Sequence, residues 1–413
     1  MRPRLFAAAI TAALGGLIFG FDVAVISGTT GALEEIFELD KQGLGLAVSS
    51  ALFGTILGCI FAGFAADTFG RRGSLVVIAL MYFVSAIGSA LAPELVSFIA
   101  FRALGGIGVG AASIIAAMYI AEISPAKYRG VLVGMFQLNI VLGILVAFLS
   151  NYIIDQIGLG IATTSVADPT STEAISTAHD AWHNDRGWRW MLGTEAVPAL
   201  FFFVLLFFTP RSPRWLMAKN REEEARAVLN SLGADGGDVD AEIVAIRDSL
   251  SLAATQKREP LFQKRFSRPI LLVLFLATFN QLSGINAVMY YAPTIFENAG
   301  ATGQAALLFP VWLGLANLIF TVLGLALIDR MGRKFLLLIG SVGYIVSLGT
   351  AAFAFFSYGP DFSSTSSVVV LVALAVFIAS HAIGQGAVIW VYIGEVFPNV
   401  VRGKGQSLGG FTH

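Results

Sequence analysis

The chain has 413 residues, of which 56% are apolar and only 13% charged, about half the charged share of a soluble domain. Its mean hydropathy is +0.77, and the apolar residues gather into runs of about 20, the length that crosses a hydrocarbon core; a soluble enzyme, a disordered chain and a nucleic-acid binder are thereby excluded. The 26 basic and 27 acidic residues nearly cancel, so no field draws in a polyanion, and a single cysteine, Cys59, rules out an internal disulfide or a thiolate metal cluster.

Ten apolar runs lie at 5–28, 44–66, 73–92, 95–121, 131–154, 188–208, 269–293, 303–328, 335–357 and 367–393, each long enough to span a bilayer as a helix. The first follows Arg2 and Arg4 but continues past Ala13 without a clear cleavage site, so it is read as a span, not a secretory signal. With a cytoplasmic N-terminus, 22 of the 26 basic residues fall in cytoplasmic segments, as the positive-inside rule requires. The outer stretch 155–187 is polar and Ser/Thr-rich and is expected to be irregular. The longest polar stretch, 209–268, carries the helical pattern Glu222-Glu223-Glu224-Ala225-Arg226 and a glycine-rich break at 233–237. It divides the chain into a six-span bundle, 1–208, a cytoplasmic linker with amphipathic helices, 209–268, and a second bundle, 269–413. The second bundle has four complete spans and, from 405, the start of a fifth.

Two short patterns recur across that divide. Asp67-Thr-Phe-Gly70-Arg71-Arg72 is matched by Asp329-Arg-Met-Gly332-Arg333-Lys334, and Glu122-Ile-Ser-Pro125 with Arg129-Gly130 by Glu395-Val-Phe-Pro398 with Arg402-Gly403. All four lie on cytoplasmic turns at equivalent places in the two blocks. They indicate duplication, which is common in secondary transporters. Glycine permits the tight turn, and the acidic residues can pair with arginines of neighbouring turns, so such pairs could hold the two halves together on the cytoplasmic side.

Charges inside spans are costly and call for a reason. Asp22, Arg102 and Glu195 come from three different runs, yet each lies six or seven residues from the outer end, a depth of roughly 10 Å. One cluster is expected. It is either a static ion pair or a proton site, because a carboxylate facing a guanidinium stays ionised and takes up a proton when the two part. His381, alone in an apolar run, is read as a packing residue. The glycines around Gly106 superficially suggest a nucleotide loop, but they lie within a span with no strand before them and serve close helix approach.

Amides inside spans form the second anomaly: Gln137, Asn139, Asn280, Gln281, Asn286, Asn317 and Gln385. Each offers donors and an acceptor, matching sugar hydroxyls, although an interhelical hydrogen bond is the plainer role for any one of them. Gln281 and Asn286 flank Ser283-Gly284, where an unwound helix would aim groups at a ligand. Phe19, Tyr290 and Trp390 could stack on a pyranose ring.

The D-x-x-G-R-[RK] and E-x-x-P-x-x-x-R-G turns, Pro210-Arg211-Ser-Pro213-Arg214-Trp-Leu, Gly284-Ile-Asn286 and Tyr290-Tyr291-Ala-Pro293 together resemble the sugar porter family of the major facilitator superfamily, including its bacterial pentose and hexose–proton symporters. The resemblance covers essentially the whole chain. It implies an all-α membrane protein with two pseudo-symmetric six-helix bundles around a central cavity, so the ten complete spans here leave the second bundle truncated. It further implies Asp22 as proton carrier, Arg102 as its modulator and Glu195 as a third member. Phe19, Gln137, Gln281, Asn286, Tyr290, Asn317, Gly386 and Trp390 match its sugar-lining positions, and Asn280 stands where the family's usual span-seven pair has its first glutamine. The cytoplasmic charge network is implied to comprise Asp67, Arg71, Arg72, Glu122, Arg129, Arg214, Asp329, Arg333, Glu395 and Arg402. Three departures stand out: Ile144 replaces a glutamine of certain xylose transporters, Arg211 replaces the usual glutamate of P-E-S-P-R, and Gly384-Gln385-Gly386-Ala387 lacks the frequent prolines.

These readings lead to a proton-coupled monosaccharide importer working by alternating access, a monomer in the cell membrane, with sugar, protons and the bilayer as partners. Nucleic acid, metal and cofactor play no part, and the proton is the co-transported ion. The rivals are an uncoupled sugar facilitator, a cyclitol porter and a transporter-like sugar sensor; no nucleophile–base pair or metal cluster suggests an enzyme.

Overall fold

The computed structural model describes residues 3–125, 128–233, 239–255, 260–301, 304–358, 364–398 and 401–412, and the elements among them are all helical. Nine helices in these segments are long and apolar enough to cross a membrane. One of them, Lys41–Ala90, has 50 residues and a non-helical break at Gly70, with φ 74° and ψ 160°. Its two limbs are separate passes, because the helix Leu95–Ile123 touches both at one level: a Cβ on Gly106 would meet Ala51, and one on Gly105 would meet Ser85. A continuous rod could not bring residues 51 and 85 beside adjacent positions of one helix. The described residues therefore make ten passes, as the apolar runs predict.

In the first half, the helix Pro3–Val25 packs on Arg129–Ser165 and on Leu95–Ile123. Trp188–Gly193 and Ala196–Leu206 complete the sixth pass. In the second half, the seventh pass is interrupted: Ser267–Leu282 stops at Gly284, and Ile285–Tyr290 and Ala292–Asn298 continue it. Gly284 has φ 83°, a left-handed conformation that costs other residues roughly 1–2 kcal/mol. Gln304–Met331 and Arg333–Tyr358 follow. The tenth pass runs Ser364–His381, a π turn Ala382–Gly386 and Ala387–Val396. Without prolines this pass is still locally unwound, through the π turn. Arg402–Thr412 then starts a further helix.

The segment 155–187 departs from expectation. It is not irregular: Arg129–Ser165 continues well beyond the fifth apolar run, and Thr172–Trp182 folds back against it. Ser171 caps the returning helix by accepting from the Ala174 amide. The Trp182 ring lies over Gly158, where a Cβ would meet it at 2.2 Å, and His179 Nε2 sits 3.0 Å from the buried carboxylate of Asp155. A polar sequence hid a helix whose few apolar and ionic contacts are all tertiary.

The helices Pro213–Ala218, Glu222–Leu232 and Val239–Thr255 form a small cap around Leu216, Ala225, Leu229 and Ile243. It is tied to the first half: Trp215 Nε1 donates to the Asp67 carbonyl (3.2 Å) and Ser212 Oγ to Glu122. The two halves share one apolar core at the end away from the N-terminus, where Val25, Ile26, Phe148, Val288, Tyr290, Phe296, Leu313 and Phe377 belong to a single cluster. Toward the N-terminal end the cores are separate, with Leu5, Tyr119 and Leu206 on one side and Phe266, Ile393 and Phe397 on the other. The halves thus share a core at one end, while at the other their cores are separate and Arg402–Thr412 still approaches Lys41–Ala90.

Candidate functional site

Asp22, Arg102 and Glu195 meet as expected. Each is 2% exposed, and each comes from a different pass. Arg102 Nη1 donates to Asp22 Oδ1, while its Nη2 reaches Asp22 Oδ2 (3.4 Å) and the Asp22 carbonyl (3.3 Å). Glu195 interacts electrostatically with both. Two carboxyl groups facing one guanidinium carry a net charge of −1 when both are ionised, so the cluster has room for one proton. Arg102 Nε is left without a partner, so the fork is only partly spent.

Two tyrosines complete this surround. Tyr82, buried with its hydroxyl unpartnered, feels the charges of Asp22 and Glu195. Tyr290 feels those of Asp22 and Arg102. Sequence reasoning missed Tyr82; its signal, a phenol within an apolar run of the same half, is too common to stand out. Tyr290 is more informative, because it belongs to the second half and to the segment just after the helix break. Expected to line a sugar pocket, it is 6% exposed in the seam between the halves. The ionic cluster and the interrupted pass are therefore in direct electrostatic contact.

At the break, Asn286 Nδ2 donates to Gln281 Oε1 (2.7 Å), and Ser283 Oγ donates to the Asn280 carbonyl (2.6 Å). The first bond spans the left-handed Gly284, so the two amides are held on one side of an unwound turn. Phe19 and Gln137 are half-buried on the two first-half helices that cross there, where a Cβ on Gly16 would meet the Phe136 carbonyl at 2.6 Å. Asn317 is buried, with its Oδ1 3.5 Å from Thr321 Oγ1. Asn280 is 2% exposed with neither amide atom bonded. Gly386 ends the π turn. The side chain of Trp390 lies outside the described residues. Asn139 and Gln385 take the plainer role, bonding to the Met135 carbonyl (2.9 Å) and to Ser341 (3.2 Å). His381 packs as expected, its Nδ1 2.6 Å from the Tyr344 hydroxyl.

The repeated turns are matched atom for atom. Arg71 binds Asp67 (3.3 Å), Glu122 (2.9 Å) and the Ala66 carbonyl (3.1 Å). Arg333 binds Asp329 (3.1 Å), Glu395 (2.8 Å) and the Ile328 carbonyl (3.2 Å). Duplication thus extends to the hydrogen bonds. Among the described residues every ion pair of the network lies within one half, at the end where the two halves have separate cores. Arg72 donates to the carbonyls of Leu206 (2.9 Å) and Phe207 (2.8 Å) instead of to an acid. Arg214 is exposed and enters no ion pair among the described residues. The side chains of Arg129 and Arg402 lie outside them.

Comparison with known proteins agrees with this architecture. The family model described as "Sugar (and other) transporter" matches residues 8–413. The D-xylose-proton symporter of Escherichia coli strain K12 is 35% identical over 98% of this chain and 82% of its own length. The D-xylose transporter of Levilactobacillus brevis is 38% identical over 96% of this chain and 80% of its own. Among solved structures, the partially occluded inward-open form of the xylose transporter XylE from E. coli superposes with a TM-score of 0.80, at 32% identity, covering 99% of this chain and 90% of that one. The XylE complex with 6-bromo-6-deoxy-D-glucose gives 0.77 at 34% identity, covering 99% and 86%. A buried carboxylate–guanidinium cluster touching an interrupted, amide-bearing pass, in a duplicated helical frame with these relatives, places the chain in the sugar transporter family of the major facilitator superfamily, a family of multi-pass membrane transporters and not of enzymes.

Proposed function

We propose that this protein imports a monosaccharide, a pentose or hexose, together with a proton by alternating access. The observation that carries the reading is the buried trio of Asp22, Arg102 and Glu195, whose charges reach Tyr290 of the other half. A net charge of −1 sealed in a low-dielectric seam favours uptake of one proton. Once Asp22 or Glu195 is protonated, the guanidinium needs only one carboxylate, and the hold of Arg102 on the first helix loosens. Sugar bound at Gln281 and Asn286 reshapes the Gly284 turn, and Tyr290 transmits that change to the trio. Transport is coupled because proton and sugar favour the same rearrangement.

Several further parts of the reading stand with it. The charged N-terminal end faces the cytoplasm of a cell that carries the protein in its inner membrane, as the distribution of basic residues supports. The bundles 1–208 and 269–413 move as units around the seam, with the 209–268 cap riding on the first. The protein works as a monomer. Phe19, Gln137, Asn280, Asn317, Gly386 and Trp390 complete the sugar pocket, and the two Arg71 and Arg333 constellations stiffen the moving ends. An uncoupled facilitator would need no buried trio. The test is uptake of labelled pentoses and hexoses by reconstituted vesicles with and without an imposed pH gradient. Saturable accumulation that collapses with the gradient is expected; uptake that merely equilibrates would reject the coupling, and no uptake of any sugar in the panel would reject the substrate class.

A further inference from the structure

A cavity of about 210 Å³ lies at the N-terminal end of the first half, lined among others by Phe69, Arg71, Arg72, Arg211, Ser212 and Trp215. It takes no part in the transport cycle outlined above. Three guanidinium groups meet there, with unequal duties. Arg71 is paired with two carboxylates, Glu122 and Asp67. Arg72 faces no acid and spends Nε and Nη2 on the Leu206 and Phe207 carbonyls, which leaves Nη1. Arg211 is exposed and enters no ion pair among the described residues. Arg71 with its two carboxylates carries a net charge of −1 and Arg72 and Arg211 add two positive charges, so among the described residues the surround of the cavity is net positive by one.

The cavity also sits at the water–lipid boundary. Phe69 is 60% exposed, and Phe207 and Phe208, which end the sixth pass, are 53% and 82% exposed. Apolar rings so exposed at the ends of spanning helices face lipid, and the arginines beside them lie where the spans meet water. The Trp215 indole, packed over Gly70 and donating to the Asp67 carbonyl, closes the back. Guanidinium forks beside apolar rings, opening at headgroup depth, suit a phosphate ester attached to a lipid: the forks bind its oxygens and the rings its chains. The position of Arg211 sharpens the point, since the turn that this sequence resembles carries glutamate there, and a glutamate would turn the local balance from +1 to −1.

We propose that this cavity binds the phosphate of an anionic phospholipid headgroup, through Arg211 and Arg72, at the leaflet that meets the N-terminal end. The purified full-length chain is titrated with phosphatidylglycerol or phosphatidylcholine in detergent, and bound lipid is counted by native mass spectrometry. Preferential retention of phosphatidylglycerol is expected, and Arg211→Glu or Arg211→Gln lowers it by about fivefold or more, the scale of one arginine at an anionic surface. Arg4→Glu, an equal change of charge at the same end but away from the cavity, leaves it unchanged. Glycerol 3-phosphate and inorganic phosphate are added as competitors; a lipid ligand resists both at millimolar concentration, whereas displacement by either would overturn the lipid assignment in favour of a free phosphate. Equal retention by Arg211→Glu and the parent chain, or equal loss in Arg4→Glu, would overturn the site itself, since diffuse charge would then explain the binding.

Discussion

Replacing Asp22 with asparagine should convert a concentrating transporter into an equilibrating one. The substitution keeps the side chain's shape and takes the trio from a net charge of −1 to zero, because Arg102 retains Glu195 as a charged neighbour. Folding should therefore survive, in contrast to Arg102→Leu, which strands two carboxyl groups in a 2%-exposed site at a cost of about 3–5 kcal/mol. With one proton per sugar, a pH difference of one unit supplies about 1.4 kcal/mol and a 100 mV potential about 2.3 kcal/mol. Their sum supports a sugar gradient of a few hundredfold in the parent protein. In Asp22→Asn the ratio should fall to about one, while exchange of labelled for unlabelled sugar across the membrane persists. Proteoliposomes loaded to give both gradients, assayed for steady-state accumulation and for exchange, read the two quantities separately. Accumulation well above unity in the variant would refute the assignment of Asp22 as the proton carrier.

Other expectations follow from the same geometry. Gln281→Ala and Asn286→Ala each remove one side of a 2.7 Å bond and one amide of the proposed sugar site; KM should rise about tenfold, the worth of roughly one hydrogen bond, with little change in melting temperature. The two duplicated ion pairs should differ in strength. Arg71 and Glu122 have side chains 11% and 9% exposed, whereas Arg333 and Glu395 are 29% and 52% exposed. Double-mutant cycles on thermal stability should give a clearly larger coupling for the first pair, with the second within the roughly 0–1 kcal/mol of exposed pairs; equal couplings would contradict the burial argument. In the cap, hydrogen bonds from Arg247 and then Arg226 hold Glu222 below the ordinary glutamate value. A carboxylate depressed in the folded state stabilises it above the unfolded value and ceases to do so as pH falls through the folded one. Protease cleavage within 209–268 should therefore accelerate only on acidification below the usual glutamate range, and Glu222→Gln should remove that dependence.

Apolar runs, basic residues and repeated turns were enough to determine from the sequence the ten passes, the duplication and the meeting of Asp22, Arg102 and Glu195. The physical reason is the bilayer: it forces a span to be about 20 apolar residues and makes every charge within it conspicuous. Depth along a span is a one-dimensional quantity, so three charges at one depth could be paired by counting. Lateral position is not one-dimensional, and there the sequence was silent. It did not show that Tyr290 and Tyr82 are buried within the field of the ionic trio, or that the Arg71 and Arg333 networks each stay within their own half. Nor did it reveal the helix Thr172–Trp182, whose polar surface outside the membrane carries no such constraint and whose order comes from Asp155 and Gly158 on another helix. Those contacts join residues far apart in the chain, and only tertiary packing decides them.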